Sequence, residues 1–87
     1  MSVTVRVTVR YFASLREALG ASEVLDIAAG MTLAELRDQL LARGGRHADV
    51  LARSRPVRCA LNQVMCDETA LLDEGAEVAF FPPVTGG

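Results

Sequence analysis

Val3-Thr4-Val5-Arg6-Val7-Thr8-Val9-Arg10-Tyr11-Phe12 sets an apolar residue at every second position from Val3 to Tyr11, with threonine or arginine between them. Side chains alternate across a strand, so this spacing predicts a long β-strand with one consistently apolar face. Working outward, Leu15, Ala18 and Leu19 recur at helical spacing and Gly20 follows as a left-handed cap, which predicts a short helix. A second strand is expected over Glu23 to Ile27. Ala28-Ala29-Gly30 breaks the pattern, and Thr32-Leu33-Ala34-Glu35 then reads as a capping box, in which Thr32 and Glu35 satisfy helix-start donors reciprocally. The helix it opens carries an apolar stripe of Leu33, Leu36, Leu40 and Leu41, with Glu35, Arg37, Asp38 and Gln39 mostly off it. Gly44-Gly45 ends it.

Arg43 leads into the stretch from Gly44 to Pro56, which holds Arg46, Arg53 and Arg55 with little periodicity. That stretch reads as a solvated loop with about one helical turn. Val57, Cys59 and Leu61 alternate with Arg58, Ala60 and Asn62, and an apolar run resumes at Val64 to Cys66, which predicts a hairpin turning at Asn62-Gln63. Asp67 to Leu72 reads as irregular, Asp73-Glu74-Gly75 as a tight turn, and Glu77 to Phe81 as a closing strand. The order suits an α+β domain: a mixed sheet with one main helix packed across it. A ubiquitin-like β-grasp fold fits, with the first and last strands side by side at the centre of the sheet.

The closing strand runs into Phe80-Phe81-Pro82-Pro83-Val84-Thr85-Gly86-Gly87. Consecutive prolines lack ladder donors and hold extended dihedrals, so the domain is expected over 1-81 and an outward arm over 82-87. Six residues from Pro82 to Gly87 reach at most about 20 Å when extended. Gly86 and Gly87 make a tip thin enough for a narrow tunnel. A terminal Gly-Gly alone carries little weight, because chains often end in small frayed residues; the Phe-Phe-Pro-Pro approach gives it meaning. Of Phe80 and Phe81, alternation puts one in the core and exposes the other, and both are candidates for a partner interface.

Composition narrows the remaining possibilities. Eighty-seven residues, 51% of them hydrophobic, make one small domain with little room for an internal active site. No stretch is apolar enough for a membrane span, and the N-terminus lacks a secretory pattern, so a cytoplasmic address is expected. The formal net charge is -2, and all nine basic residues are arginine. That gives no basic excess for nucleic acid and no polybasic membrane patch. Without lysine, the chain cannot build side-chain isopeptide chains on itself. Cys59 and Cys66 read as buried apolar groups rather than metal ligands, and His47 as a surface residue with no ligand partner at a useful spacing.

Several of these stretches resemble one family: the small, ubiquitin-like sulfur-carrier subunit of molybdopterin synthase. Glu77-Val78-Ala79-Phe80-Phe81-Pro82-Pro83-Val84-Thr85-Gly86-Gly87 is similar to that family's closing strand and tail. Leu61-Asn62-Gln63, Leu72-Asp73-Glu74-Gly75 and Val9 to Glu17 resemble its hairpin, its preceding turn and its opening strand and helix. The resemblance implies that Gly87 is adenylated by an ATP-dependent activating enzyme and converted to a thiocarboxylate with sulfur from a sulfurtransferase. The thiocarboxylate would then donate sulfur to the pterin precursor, cyclic pyranopterin monophosphate, to form the molybdopterin dithiolene. Gly86, Thr85, Val84, Pro83 and Pro82 would give the tail access to partners. The implied assembly is a heterotetramer of two small and two large subunits, with no cofactor and no metal bound by this chain. A thiamin-pathway sulfur carrier would share the fold, the Gly-Gly end and the activation chemistry. A ubiquitin-like protein modifier would use the same terminus to form amide bonds to target lysines.

Overall fold

The structure is a computed structural model that describes residues 3-83. Five strands and three helices follow in the order β1 (Thr4–Tyr11), α1 (Ser14–Leu19), β2 (Ser22–Ala28), α2 (Leu33–Leu41), α3 (Gly45–Leu51), β3 (Arg58–Leu61), β4 (Val64–Cys66) and β5 (Glu77–Phe81). They form one mixed sheet ordered β2-β1-β5-β3-β4. β1 and β5 run parallel at its centre, with Val9 opposite Val78 and Tyr11 opposite Phe80, and the other pairings are antiparallel. The expected placement of the first and last strands therefore holds.

The alternation in β1 sends Val7, Val9 and Tyr11 into the core, where they meet Val78 and Phe80 of β5 and the α2 stripe of Leu33, Leu36 and Leu40. The capping box forms as read: the Glu35 N–H donates to Thr32 Oγ1 at 3.2 Å and the Thr32 N–H to Glu35 Oε1 at 3.1 Å. Gly20 ends α1 at φ 93° and ψ 176°, a positive φ as expected but with an extended ψ outside the left-handed helical region.

The hairpin turns at Asn62 and Gln63, whose φ values of 51° and 69° match a two-residue turn with both central residues left-handed. Asn62 also fastens the turn to the neighbouring strand. Its N–H donates to the Glu77 carbonyl at 2.8 Å, and its Oδ1 accepts from the Glu77 N–H at 2.9 Å.

Two expectations need correction. The stretch after Gly44 is not mainly loop, because residues 45–51 form α3 and its Leu51 is fully buried. Arg37, placed off the apolar stripe, is also buried, at 4% exposure. The two facts have one cause. The Arg37 guanidinium donates to the carbonyls of Leu51 (2.7 Å), Ala52 (2.6 Å) and Arg55 (3.3 Å), and pairs with Glu68 at 2.7 Å. Carbonyls at a helix C-terminus have no partner within the helix, and here a cation from α2 supplies one. α3 is thus stabilised by tertiary contacts more than by its own periodicity. Among the described residues, no helix is long and apolar enough to cross a membrane.

Candidate functional site: the base of the C-terminal tail

β5 delivers the chain to Pro82 from the middle of the sheet. Its burial alternates: Val78 and Phe80 are buried, while Glu77, Ala79 and Phe81 are half-buried on the other face. Phe80 is 0% exposed and stacks on Tyr11, with ring centroids 6.4 Å apart and planes 19° apart. Its carbonyl accepts from the Phe12 N–H at 3.1 Å, which pins the last residues of the strand. Phe80 is therefore a core residue, and its expected interface role is corrected: the parallel register opposite Tyr11 turns its ring inward. Phe81 sits opposite Arg58 and takes the outer face.

Around Phe81 the outer face combines apolar and charged groups. Ala79 pairs with Ala60, and Ala60 with Met65, which is 60% exposed, so these residues share a face. Arg10, in register with Ala79, reaches Glu77 at 3.8 Å and places its guanidinium 5.4 Å from the Phe12 ring centroid. A phenylalanine and a methionine beside Arg10 and Arg58 are residue types enriched at protein interfaces.

Pro82 and Pro83 lie against a second feature, an open groove of about 360 Å³ walled by Leu15, Val50, Pro56 and Val57. Ser14 and Arg55 are its polar members. The α3 segment thus contributes to the tail's base through Val50, and Arg37 fixes the neighbouring loop by holding the Arg55 carbonyl. Sequence reasoning missed this support; the only signal was an arginine on a helix whose partners lie 14 to 31 residues away. Val84, Thr85, Gly86 and Gly87 lie outside the described residues.

A titratable cluster surrounds the Tyr11 hydroxyl. The Tyr11 hydroxyl donates to Glu23 Oε2 at 2.9 Å, Arg43 donates to Glu23 Oε1 at 2.7 Å, and His47 Nε2 is 3.6 Å from Glu23 Oε2. Burial, then the Glu23 hydrogen bond, push the Tyr11 phenol above its ordinary value. For Glu23, burial acts in the opposite direction to the hydrogen bonds from Arg43 and Tyr11, and those bonds win, so its carboxyl stays below its usual range. Every member is engaged with another, which is how such groups anchor α3 and β2 to β1. Among the described residues, no three His, Cys, Asp or Glu side chains are grouped to hold a metal ion.

A central β1/β5 parallel pair crossed by α2, with the chain leaving β5 through two prolines, defines a ubiquitin-like β-grasp domain. The chain belongs to the ThiS family, which matches residues 9–87. Two curated relatives are the molybdopterin synthase sulfur carrier subunits of Escherichia coli and Mycobacterium tuberculosis. The first is 38% identical over 82 residues, covering 93% of this chain and 99% of the relative. The second is 35% identical over 85 residues, covering 95% and 99%. Among solved structures, the Haloferax volcanii HVO 2177 protein superposes with a TM-score of 0.80 at 30% identity, over 97% of this chain and 88% of that one. The complex of subunits 1 and 2 of the molybdopterin-converting factor from Helicobacter pylori contains a chain that matches with a TM-score of 0.65 at 30% identity, over 95% and 100%.

Proposed function

We propose that this chain is the sulfur-carrier subunit of a molybdopterin synthase, acting through Gly87. The observation that carries the reading is the direct passage from a pinned central strand into Pro82 and Pro83. Phe80 is locked by Tyr11 and Phe12, so a tail beginning two residues later starts from a rigid base. Rigidity at the base and proline stiffness beyond it reduce the entropy lost when a tail enters a partner. The names of the curated relatives and the two-subunit complex support the same reading.

The chemistry follows from the weakness of a carboxylate as an electrophile. An activating enzyme transfers AMP from ATP to the Gly87 carboxylate and releases pyrophosphate, giving a mixed anhydride with a good leaving group. The outer sulfur of a sulfurtransferase persulfide displaces AMP, and a thiol then takes the sulfurtransferase's own sulfur as a disulfide, which releases the thiocarboxylate. Polarizable and ionised at neutral pH, the thiocarboxylate sulfur attacks an electrophilic carbon of cyclic pyranopterin monophosphate held by the large subunit, and the oxygen substituent at that carbon leaves as the C–S bond forms. Hydrolysis of the resulting thioester bond to Gly87 returns the carboxylate and leaves the sulfur on the pterin. A dithiolene needs two sulfurs, so two loading events serve each product, consistent with a heterotetramer of two small and two large subunits in the cytoplasm.

In this scheme the chain supplies a co-substrate terminus and an interface, with Phe81 and its neighbours against the large subunit. It binds no cofactor of its own, and ATP is consumed on the activating enzyme. The test is reconstitution with large subunit, activating enzyme, ATP, sulfur donor and pterin precursor. Conversion to the dithiolene product with the intact chain, and none with the Gly87-deleted chain, is expected. Amide-linked protein conjugates without pterin conversion would assign the chain to protein modification instead.

A further inference from the structure

We infer that Cys59 and Cys66 form a redox-active dithiol, which closes to an intramolecular disulfide by exchange with small disulfides of the glutathione class. The Asn62-Gln63 turn sets the register that makes Cys59 and Cys66 direct cross-strand partners. Their sulfurs are 4.0 Å apart, and both thiols are free. Opposite residues in an antiparallel pair hold their Cβ atoms about 4.5–5.5 Å apart, whereas a disulfide holds them at about 3.5–4.5 Å, so closure needs roughly a 1 Å approach. β4 can supply it, because it is a three-residue edge strand paired only with β3.

The two thiols are not equivalent. Cys59 is buried, and its thiol is pushed up to about 12, first by burial and then by Cys66 beside it. Cys66 is half-buried, and both cysteines line an open recess of about 220 Å³ bordered by Arg58, Asp67 and Glu68. Cys66 therefore reacts first. Its thiolate attacks one sulfur of glutathione disulfide, forming a mixed disulfide and releasing one glutathione thiolate. Cys59 then gives up its proton and attacks the Cys66 sulfur, expelling the second glutathione. Two protein thiols are oxidised and one glutathione disulfide is reduced to two thiols, with no other reagent required.

The position gives the bond a consequence. β3 lies between β4 and β5, with Cys59 opposite Phe80 and Arg58 opposite Phe81, so the staple braces the strand next to the one that launches the tail. It is chemically independent of Gly87, and its test needs no synthase activity.

The whole chain, incubated with excess oxidised glutathione at mildly alkaline pH, is expected to lose about 2 Da and retain no glutathione. The Cys59→Ser variant is expected to keep one glutathione, a gain of about 305 Da, because the resolving thiol is gone. The oxidised chain closes an eight-residue loop and is expected to melt about 10 °C higher than the reduced one. Three outcomes would overturn the inference: a stable glutathione adduct on the unsubstituted chain, thiols that react only after unfolding, or an oxidised form that melts at or below the reduced form.

Discussion

Phe80 and Phe81 are chemically identical neighbours that the fold turns to opposite faces, so exchanging each for alanine separates the core role of one from the proposed interface role of the other. Phe80 is fully buried and stacked on Tyr11. Removing a fully buried phenylalanine ring costs about 3–5 kcal/mol in lost transfer energy and residual cavity. For a chain of 87 residues the unfolding entropy near 60 °C is about 0.18 kcal/mol/K, so Phe80→Ala is expected to lower Tm by about 17–28 °C. Phe81 is only half-buried, on the outer face, and Phe81→Ala should cost about 1 kcal/mol or less, a shift of about 5 °C. The order reverses for association. Phe81→Ala is expected to weaken binding to the large subunit by about 2 kcal/mol, roughly thirtyfold, as an aromatic anchor does. Thermal melts followed by circular dichroism, and titration calorimetry on the folded Phe81→Ala chain, supply both numbers. If Phe81→Ala destabilises the domain as much as Phe80→Ala, or leaves binding unchanged, the division of the two faces is wrong.

Arg37→Met keeps the volume but strips the partners from three carbonyls and Glu68; a loss of about 3–5 kcal/mol is expected, with amide exchange rising first in α3. Glu68 gives a pH signature. Burial opposes its charge, but hydrogen bonds from Arg37 and Arg53 outweigh that and hold its carboxyl below the ordinary value of 4.5. A depressed folded value stabilises above the unfolded value and loses that contribution as pH falls through the folded one. Melts from neutral to acid pH should therefore fall more steeply for the natural chain than for Glu68→Gln, and parallel curves would contradict the pairing. Asn62→Gly keeps the left-handed turn but removes the bond to the Glu77 N–H, costing about 1 kcal/mol; Asn62→Ala loses both and should cost more, as urea melts will show.

Local rules were enough wherever the deciding partners are near in sequence. The β1 alternation, the Thr32/Glu35 box and the Asn62-Gln63 turn each rest on residues within a few positions, and each forms as read. Alternation also foretold that Phe80 and Phe81 would part company, but which ring turns inward depends on the register of β5 against β1, a partner nearly 70 residues away. α3 stayed hidden for the same reason. Its C-terminal carbonyls are satisfied by Arg37 from another helix, and a charged residue off an apolar stripe ordinarily signals solvent. The groove beneath Pro82 and Pro83 is assembled from α1, α3 and the segment before β3, so no single stretch could announce it.

The central claim is that Gly87 becomes a thiocarboxylate, and intact-mass spectrometry after incubation with activating enzyme, ATP and a sulfur donor tests it most directly. Exchange of one oxygen for sulfur adds about 16 Da, and the account predicts that gain on the intact chain, dependent on ATP and absent when Gly87 is deleted. An unchanged mass with a functional activating enzyme, or the same gain on the Gly87-deleted chain, would contradict it.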